Sequence, residues 1–156
     1  AVVTSGFEEL RGYISPRLDG CRNLQEAAAA VFAAHVEFFE ENQDLMRIFH
    51  QVRGVLKFDR PRWRPLRTQL RLHVEFLAQR LALGEARSCT LARRLELAVF
   101  LFGCASGTTS VLVAAYPESA RLRSLNERWS DPIGRTVAAA NGALARTRSR
   151  QRRRPR

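Results

Sequence analysis

The side chains best equipped for chemistry in this sequence are three histidines, His35, His50 and His73, and three cysteines, Cys21, Cys89 and Cys104. His35 and His73 stand in the same tetrapeptide, His-Val-Glu-Phe, at 35–38 and 73–76. A di-iron helical bundle needs Glu-x-x-His, which places both ligands on one helix face. Here the order is His-x-Glu, which sets the pair about 200° apart around a helix. Phe32, Arg47 and Leu70 occupy the positions three before the histidines. Neither His-x-x-x-His nor Cys-x-x-Cys occurs, so no metal is expected. The flanks of the two tetrapeptides do not match, and the repeat reads as coincidence rather than duplication. Three cysteines are too few, and odd in number, for a disulfide framework, which points to a reducing compartment, the cytoplasm. Gly-x-Ser-x-Gly, Gly-x-Gly-x-x-Gly and phosphate-loop patterns are absent as well. Cys104 lies in the most apolar stretch, where a thiol serves as a small hydrophobe. No catalytic residue and no cofactor is assigned, and an enzyme is not expected.

A different kind of chemistry is open to the apolar residues around those histidines. His35, Phe38, Phe39, Met46, Phe49, Trp63, Leu70, His73, Phe76 and Phe102 offer aromatic surface with a few polar groups among it. That is the composition of a small-molecule cavity between helices. Each residue taken singly also serves as ordinary core. A buried imidazole needs hydrogen-bond partners, and a pocket supplies them as ligand or water.

These residues depend on helices to hold them. The chain has 156 residues, 46% hydrophobic and 26% charged, with mean hydropathy −0.25, which is one soluble-type domain with a sizeable core. Dominant disorder and a polytopic membrane protein are excluded, and nine Gly and six Pro argue against a turn-rich all-β chain. Ser5 with Glu8 has capping-box spacing and predicts a helix over 6–14, stopped by Ser15-Pro16. Asn23 with Glu26 repeats that spacing before Leu24, Ala28, Val31, His35, Phe38, Asn42 and Leu45, which advance by fours and threes along one helix face. Asn42-Gln43-Asp44 predicts a break and a shorter helix carrying Met46 and Phe49. Gly54 marks a connection, and Asp59 before Pro61 a new start. Trp63, Leu66, Leu70, His73, Leu77 and Leu81 then form a second stripe that ends at Gly84. Ser88 or Thr90 caps a helix through Leu91, Leu95, Ala98 and Phe102 to residue 115, closed by Pro117. Residues 117–129 are mixed and partly helical. Ser130-Asp131-Pro132 predicts a last start with Pro in the first turn, followed by a short Ala-rich helix over 133–145. The fold class is all-α, a multi-helix bundle over residues 1–145.

Charge and hydropathy add two further readings. The formal net charge is +11, but residues 146–156 hold seven Arg and no acid, and without them 19 basic residues face 15 acidic ones. The body is thus mildly basic, and 146–156 is expected to be a disordered, solvated tail able to meet nucleic acid or an acidic partner. Arg60, Arg64, Arg67 and Arg71 step along the polar side of the Trp63 helix, with Arg53, Lys57 and Arg62 nearby. They read as a solvated face, partly neutralised by the acidic face of the preceding long helix, because base-reading or stacking partners are not interleaved. Leu97–Pro117 carries no charge over 21 positions and contains Gly103-x-x-x-Gly107. That length suits a bilayer, but its middle, Ser106, Thr108, Thr109 and Ser110, does not, and its neighbours need an aqueous face. No signal peptide is visible in AVVTSGFEEL, and the first residue is Ala1 rather than Met, as in a processed chain or one cut from something longer. The membrane is therefore not an expected partner. A helix apolar all round is buried all round, here by its own domain on one face and by a second subunit on the other, with the glycines marking a close backbone approach.

Taken together, these segments resemble the C-terminal domain of TetR-family transcriptional regulators. LQEAAAAVFAAHVEFFEENQDLMRIF is similar to the family's first long ligand-domain helix and its exit into a short helix. RRLELAVFLFGCASGTTSVLVAAYP is similar to a later helix of the dimer's four-helix bundle, with 131–145 as its partner. Gly6-Phe7-Glu8-Glu9-Leu10 is similar to the start of the helix that links the DNA-binding region to the rest. The resemblance covers about residues 6–145. It implies a homodimer through Phe100, Gly103, Gly107, Val111, Ile133, Val137 and Ala140, and one small apolar or aromatic effector per subunit. It also implies that effector binding shifts the first helix and so re-spaces two DNA-binding heads. The family's helix-turn-helix would lie upstream of Ala1 and is not in this sequence, so DNA is a partner only through that absent region. The alternative reading is a helical protein-interaction module whose apolar faces are core and whose Arg-rich tail finds an acidic partner.

Overall fold

Helical periodicity is carried into helices throughout the described chain. The computed structural model describes residues 2–53, 61–115 and 121–152. They form α1 (Val2–Leu18), α2 (Leu24–Glu41), α3 (Gln43–Arg53), α4 (Arg64–Arg80), α5 (Leu91–Ala115) and α6 (Arg121–Arg152). Short 3-10 turns cover Pro61–Trp63 and Gly84–Ser88. No strand occurs among the described residues, and the all-α class stands. Gly54, Lys57, Asp59, Arg60 and Pro117 lie outside the described residues.

Several boundaries follow local chemistry. The Asn23 side chain accepts from the Glu26 amide at 2.9 Å, which satisfies one of the donors that a helix start leaves open, while Glu26 reaches back to the Arg22 amide at 2.8 Å and ties the incoming chain to the first turn. Asn42 ends α2, its amide and its side chain both donating to the Phe38 carbonyl at 2.9 Å. Thr90 caps α5, its hydroxyl accepting from the Arg93 amide at 3.3 Å.

Other boundaries differ from expectation, and both prolines are involved. α1 already runs from Val2, so Ser5 is not its cap, and it continues through Pro16 to Leu18. Pro16 removes one bond to the Gly12 carbonyl. Gly12 is exposed, so water can replace it, and Arg80 anchors the same turn by donating to the Ser15 carbonyl at 2.8 Å. α4 stops at Arg80, four residues before the positive-φ Gly84 (φ 51°). α6 does not start at Asp131 but passes through Pro132. The bond lost there belongs to the exposed Arg128, and Asp131 holds the turn by pairing with Arg135 and accepting from Gln25 of α2. α6 also carries residues 146–152 as helix, where a disordered tail was expected. Once a helix exists each added residue contributes a bond, Arg is a good helix former, and positive charge suits a helix C-terminus.

α2 is the hub of the bundle, touching α1, α3, α5 and α6. Its most extensive partner is α6, across an Ala-rich surface. There Gly134 is indispensable, because a Cβ at that position would stand 2.4 Å from the Gln25 carbonyl oxygen and 3.1 Å from the Ala29 methyl. Phe7, Leu10, Ile14 and Leu18 turn one face of α1 into the core, and Leu66, Leu77 and Leu81 do the same from the α4 side. The acidic side of α2 faces α1 rather than the arginines of α4: Glu37 pairs with Arg17 at 3.1 Å and accepts from Tyr13 at 3.4 Å. Arg71 pairs within its own helix, with Glu75 at 4.0 Å.

α5 divides into two faces. Leu97, Ala98, Leu101, Phe102, Ala105 and Thr109 are buried, whereas Val99, Phe100, Gly103 and Val111 are exposed. Two of the mid-helix hydroxyls, the buried ones, are satisfied locally, Thr109 donating to the Ala105 carbonyl at 2.7 Å and Ser106 to that of Gly103 at 3.5 Å. Among the described residues no helix is long and apolar enough to cross a membrane.

Candidate functional site

The two His-Val-Glu-Phe segments, one on α2 and one on α4, bring their histidines into contact. His35 and His73 are fully buried, and their Nε2 atoms stand 2.9 Å apart. The protons on this pair follow from one carbonyl. His35 Nδ1 lies 2.6 Å from the Val31 carbonyl oxygen, an atom that only accepts, so Nδ1 carries the proton. Neutral His35 therefore has a lone pair on Nε2, which accepts from His73 Nε2–H. His73 is left with a lone pair on Nδ1, and that buried atom has no hydrogen-bond partner. Burial keeps both rings neutral. It pushes the His35 pKa down to about 4, and it holds His73 well below the usual histidine value, helped by His35 and by the Arg11 charge.

Around the pair stands an aromatic shell drawn from five helices. Phe102 of α5 packs on His73 (ring centroids 5.1 Å), His35 (5.5 Å) and Phe49 of α3 (5.7 Å). Phe39 of α2 lies 6.1 Å from His35, and Phe76 of α4 lies 6.4 Å from His73. Phe7 of α1 completes the shell, 5.5 Å from His73, 5.7 Å from Phe49 and 6.4 Å from Phe102.

The expected lining is thus only partly one surface. His35, Phe39, Phe49, His73, Phe76 and Phe102 converge. Phe38 stands at the edge of the shell, between Phe39 (5.9 Å) and Tyr13 of α1 (5.5 Å), Met46 is buried core, Leu70 packs half-buried beside that core, and Trp63 is half-buried at the entrance to α4. The rings sit in contact rather than around an open chamber. The gap bounded by Phe7, Leu10, Phe38, Phe39 and Phe49 measures about 10 Å³, room for about one water. The family resemblance places Phe7 in a linking helix rather than in the lining. Its spacing to Leu10, Ile14 and Leu18 was the signal available for placing it inward. Arg11 stands one turn beyond Phe7 on α1, with no sequence motif to mark it. It donates from Nη2 to Gln69 at 2.9 Å, and its buried Nη1 has no partner.

The second candidate surface is the outer side of α5. Phe100 is 49% and Val111 65% exposed, and a Cβ built on Gly103 or Gly107 would meet nothing within 4 Å. Ala140 is exposed, Ile133 is half-buried against the core, and Val137, 1% exposed, points inward. Phe100, Val137 and Ala140 still share a surface groove of about 190 Å³ between α5 and α6, rimmed by Arg93, Glu96 and Thr136. Among the described residues no three His, Cys, Asp or Glu side chains cluster as a metal site. No protein-family model matches the chain, and no curated protein or solved structure shows a significant likeness to it.

Proposed function

We propose that this chain is the effector-binding and dimerisation domain of a TetR-like transcriptional regulator acting in the cytoplasm, without catalysis. The observation that carries the reading is Phe7. It places α1 directly on His73, Phe49 and Phe102, so anything that parts those rings must displace the helix that the family resemblance makes the link to DNA. The effector is a small apolar or aromatic molecule. The contact between the rings means that the effector opens its own space, and occupancy and α1 position become one two-state equilibrium. The bare side of α5 is the surface for a second copy, where a contiguous apolar face of this kind marks an association site. Contact with DNA would need a helix-turn-helix, which the described helices do not supply.

The near-filled aromatic centre favours a second reading, a helical protein-interaction module whose rings are only core and whose Arg-rich end binds an acidic partner. A native mass spectrum of the purified chain separates the two. A dimer near twice 17.7 kDa carrying extra small-molecule mass supports the sensor. A clean monomer without adduct overturns it in favour of the interaction module.

A further inference from the structure

Two buried polar atoms without partners lie on either side of the α1–α4 contact, and they are complementary. His73 Nδ1 is an acceptor, fixed as such by the relay from the Val31 carbonyl through His35. Arg11 Nη1 is a donor. Phe7, one turn before Arg11, packs on His73, and Gln69, one turn before His73, holds the other Arg11 nitrogen at 2.9 Å. Orphaned buried polar atoms are rare because each forfeits its bond to water. A single oxygen carrying a hydrogen answers both, accepting from the guanidinium and donating to the imidazole.

We propose, building on the sensor reading, that the α1–α4 contact is a hydroxyl-recognition site, and that the effector is a neutral phenol or alcohol whose O–H bridges Arg11 Nη1 and His73 Nδ1 while its apolar body replaces Phe7 among the rings. A carboxylate would suit the arginine but would present a second acceptor to the Nδ1 lone pair. A plain hydrocarbon would leave both orphans as they are. Because Phe7 covers His73, seating anything larger than water moves α1, which joins recognition to the conformational change.

The test is calorimetric titration of the full chain at pH 7.5 with phenol, toluene and benzoate, together with nitrogen NMR of histidine-labelled protein. Phenol is expected to bind about tenfold or more tighter than toluene and to shift the His73 Nδ1 resonance, with benzoate weaker than both. His73→Phe keeps an apolar ring and removes the acceptor while Arg11 remains, so phenol should lose most of its advantage over toluene and keep only the part that Arg11 supplies. Should that variant not fold, the wild-type resonance decides, moving with phenol and not with toluene. Equal affinity for phenol and toluene, or an unmoved resonance, overturns the hydroxyl site and leaves an apolar sensor standing. Failure of all three probes to bind overturns the hydroxyl site and the sensor reading together. Tight benzoate binding would replace the hydroxyl with an anion.

Discussion

α5 meets two environments that its own sequence scarcely distinguishes. Its inward side, with Leu101, Phe102 and Ala105, is closed by α2 and α4, and Phe102 alone touches Phe7, His35, Phe49 and His73. Its outward side, with Val99, Phe100 and Val111, is as apolar and bare. Hydropathy along the helix says that both sides favour leaving water. Only the fold says which of them the chain closes by itself. The inward side is therefore where a substitution should act on stability, and the outward side is where it should act on association.

The largest effect on the fold is expected at the centre of the inward side. Phe102→Ala removes a ring packed against four others and leaves a hole that those rings fill only partly. A loss of about 4 kcal/mol is expected, seen as a fall in Tm of roughly 10 °C. A loss below about 1 kcal/mol would mean that the rings close freely around the gap, and the inward side would no longer be a tightly packed centre.

Next in size is the response of that centre to acid. Above pH 6.5 both the folded and the unfolded chain hold His35 neutral, and its contribution is complete. As pH falls below 6.5 the unfolded histidine takes its proton first, while the folded one waits until about pH 4. Stability therefore falls with pH across that window, by up to about 1.4 kcal/mol per unit and roughly 3 kcal/mol in all for His35. His73, depressed by burial, by His35 and by Arg11, adds a loss of the same sign. Denaturant titrations between pH 7 and pH 4 should show this slope, and the double variant His35→Leu/His73→Leu should flatten it. An unchanged slope in the double variant would place the acid sensitivity elsewhere.

The helix-period stripes made the participants in this centre legible one at a time. His35 and His73 each stand on an apolar face that the spacing reveals, and the caps at Asn23 and Thr90 and the break at Asn42 follow from local chemistry. Their pairing was not legible, because nothing in the period of α2 refers to α4, and the contact spans 38 positions. Pro16 and Pro132 misled for the opposite reason. Local rules read proline as a stop, whereas Arg80 holds the turn around Pro16 and packing against α2 carries α6 through Pro132. Gly134 carries no spacing signal, whereas Gly103-x-x-x-Gly107 has the spacing of a close helix crossing. Of these three it is Gly134 that meets another backbone, while the spaced pair faces open space.

That open space gives the smallest expected effect on the fold and the sharpest test of the outward side. A Cβ at Gly107 meets nothing within 4 Å, so Gly107→Glu has room inside one chain and trades a poor helix former for a good one. The stability of an isolated subunit should change by less than about 1 kcal/mol, with helicity by circular dichroism intact. If a second α5 crosses here, the same carboxylate is trapped between two backbones without a partner, which association does not tolerate. Sedimentation should then report a dimer for the natural chain and a folded monomer, or precipitate, for the variant. A variant that stays a stable dimer would move the interface away from Gly107, and the bare side of α5 would lose its claim to a second copy. The inward side would keep its place, because the His35–His73 centre is built without any contribution from that surface.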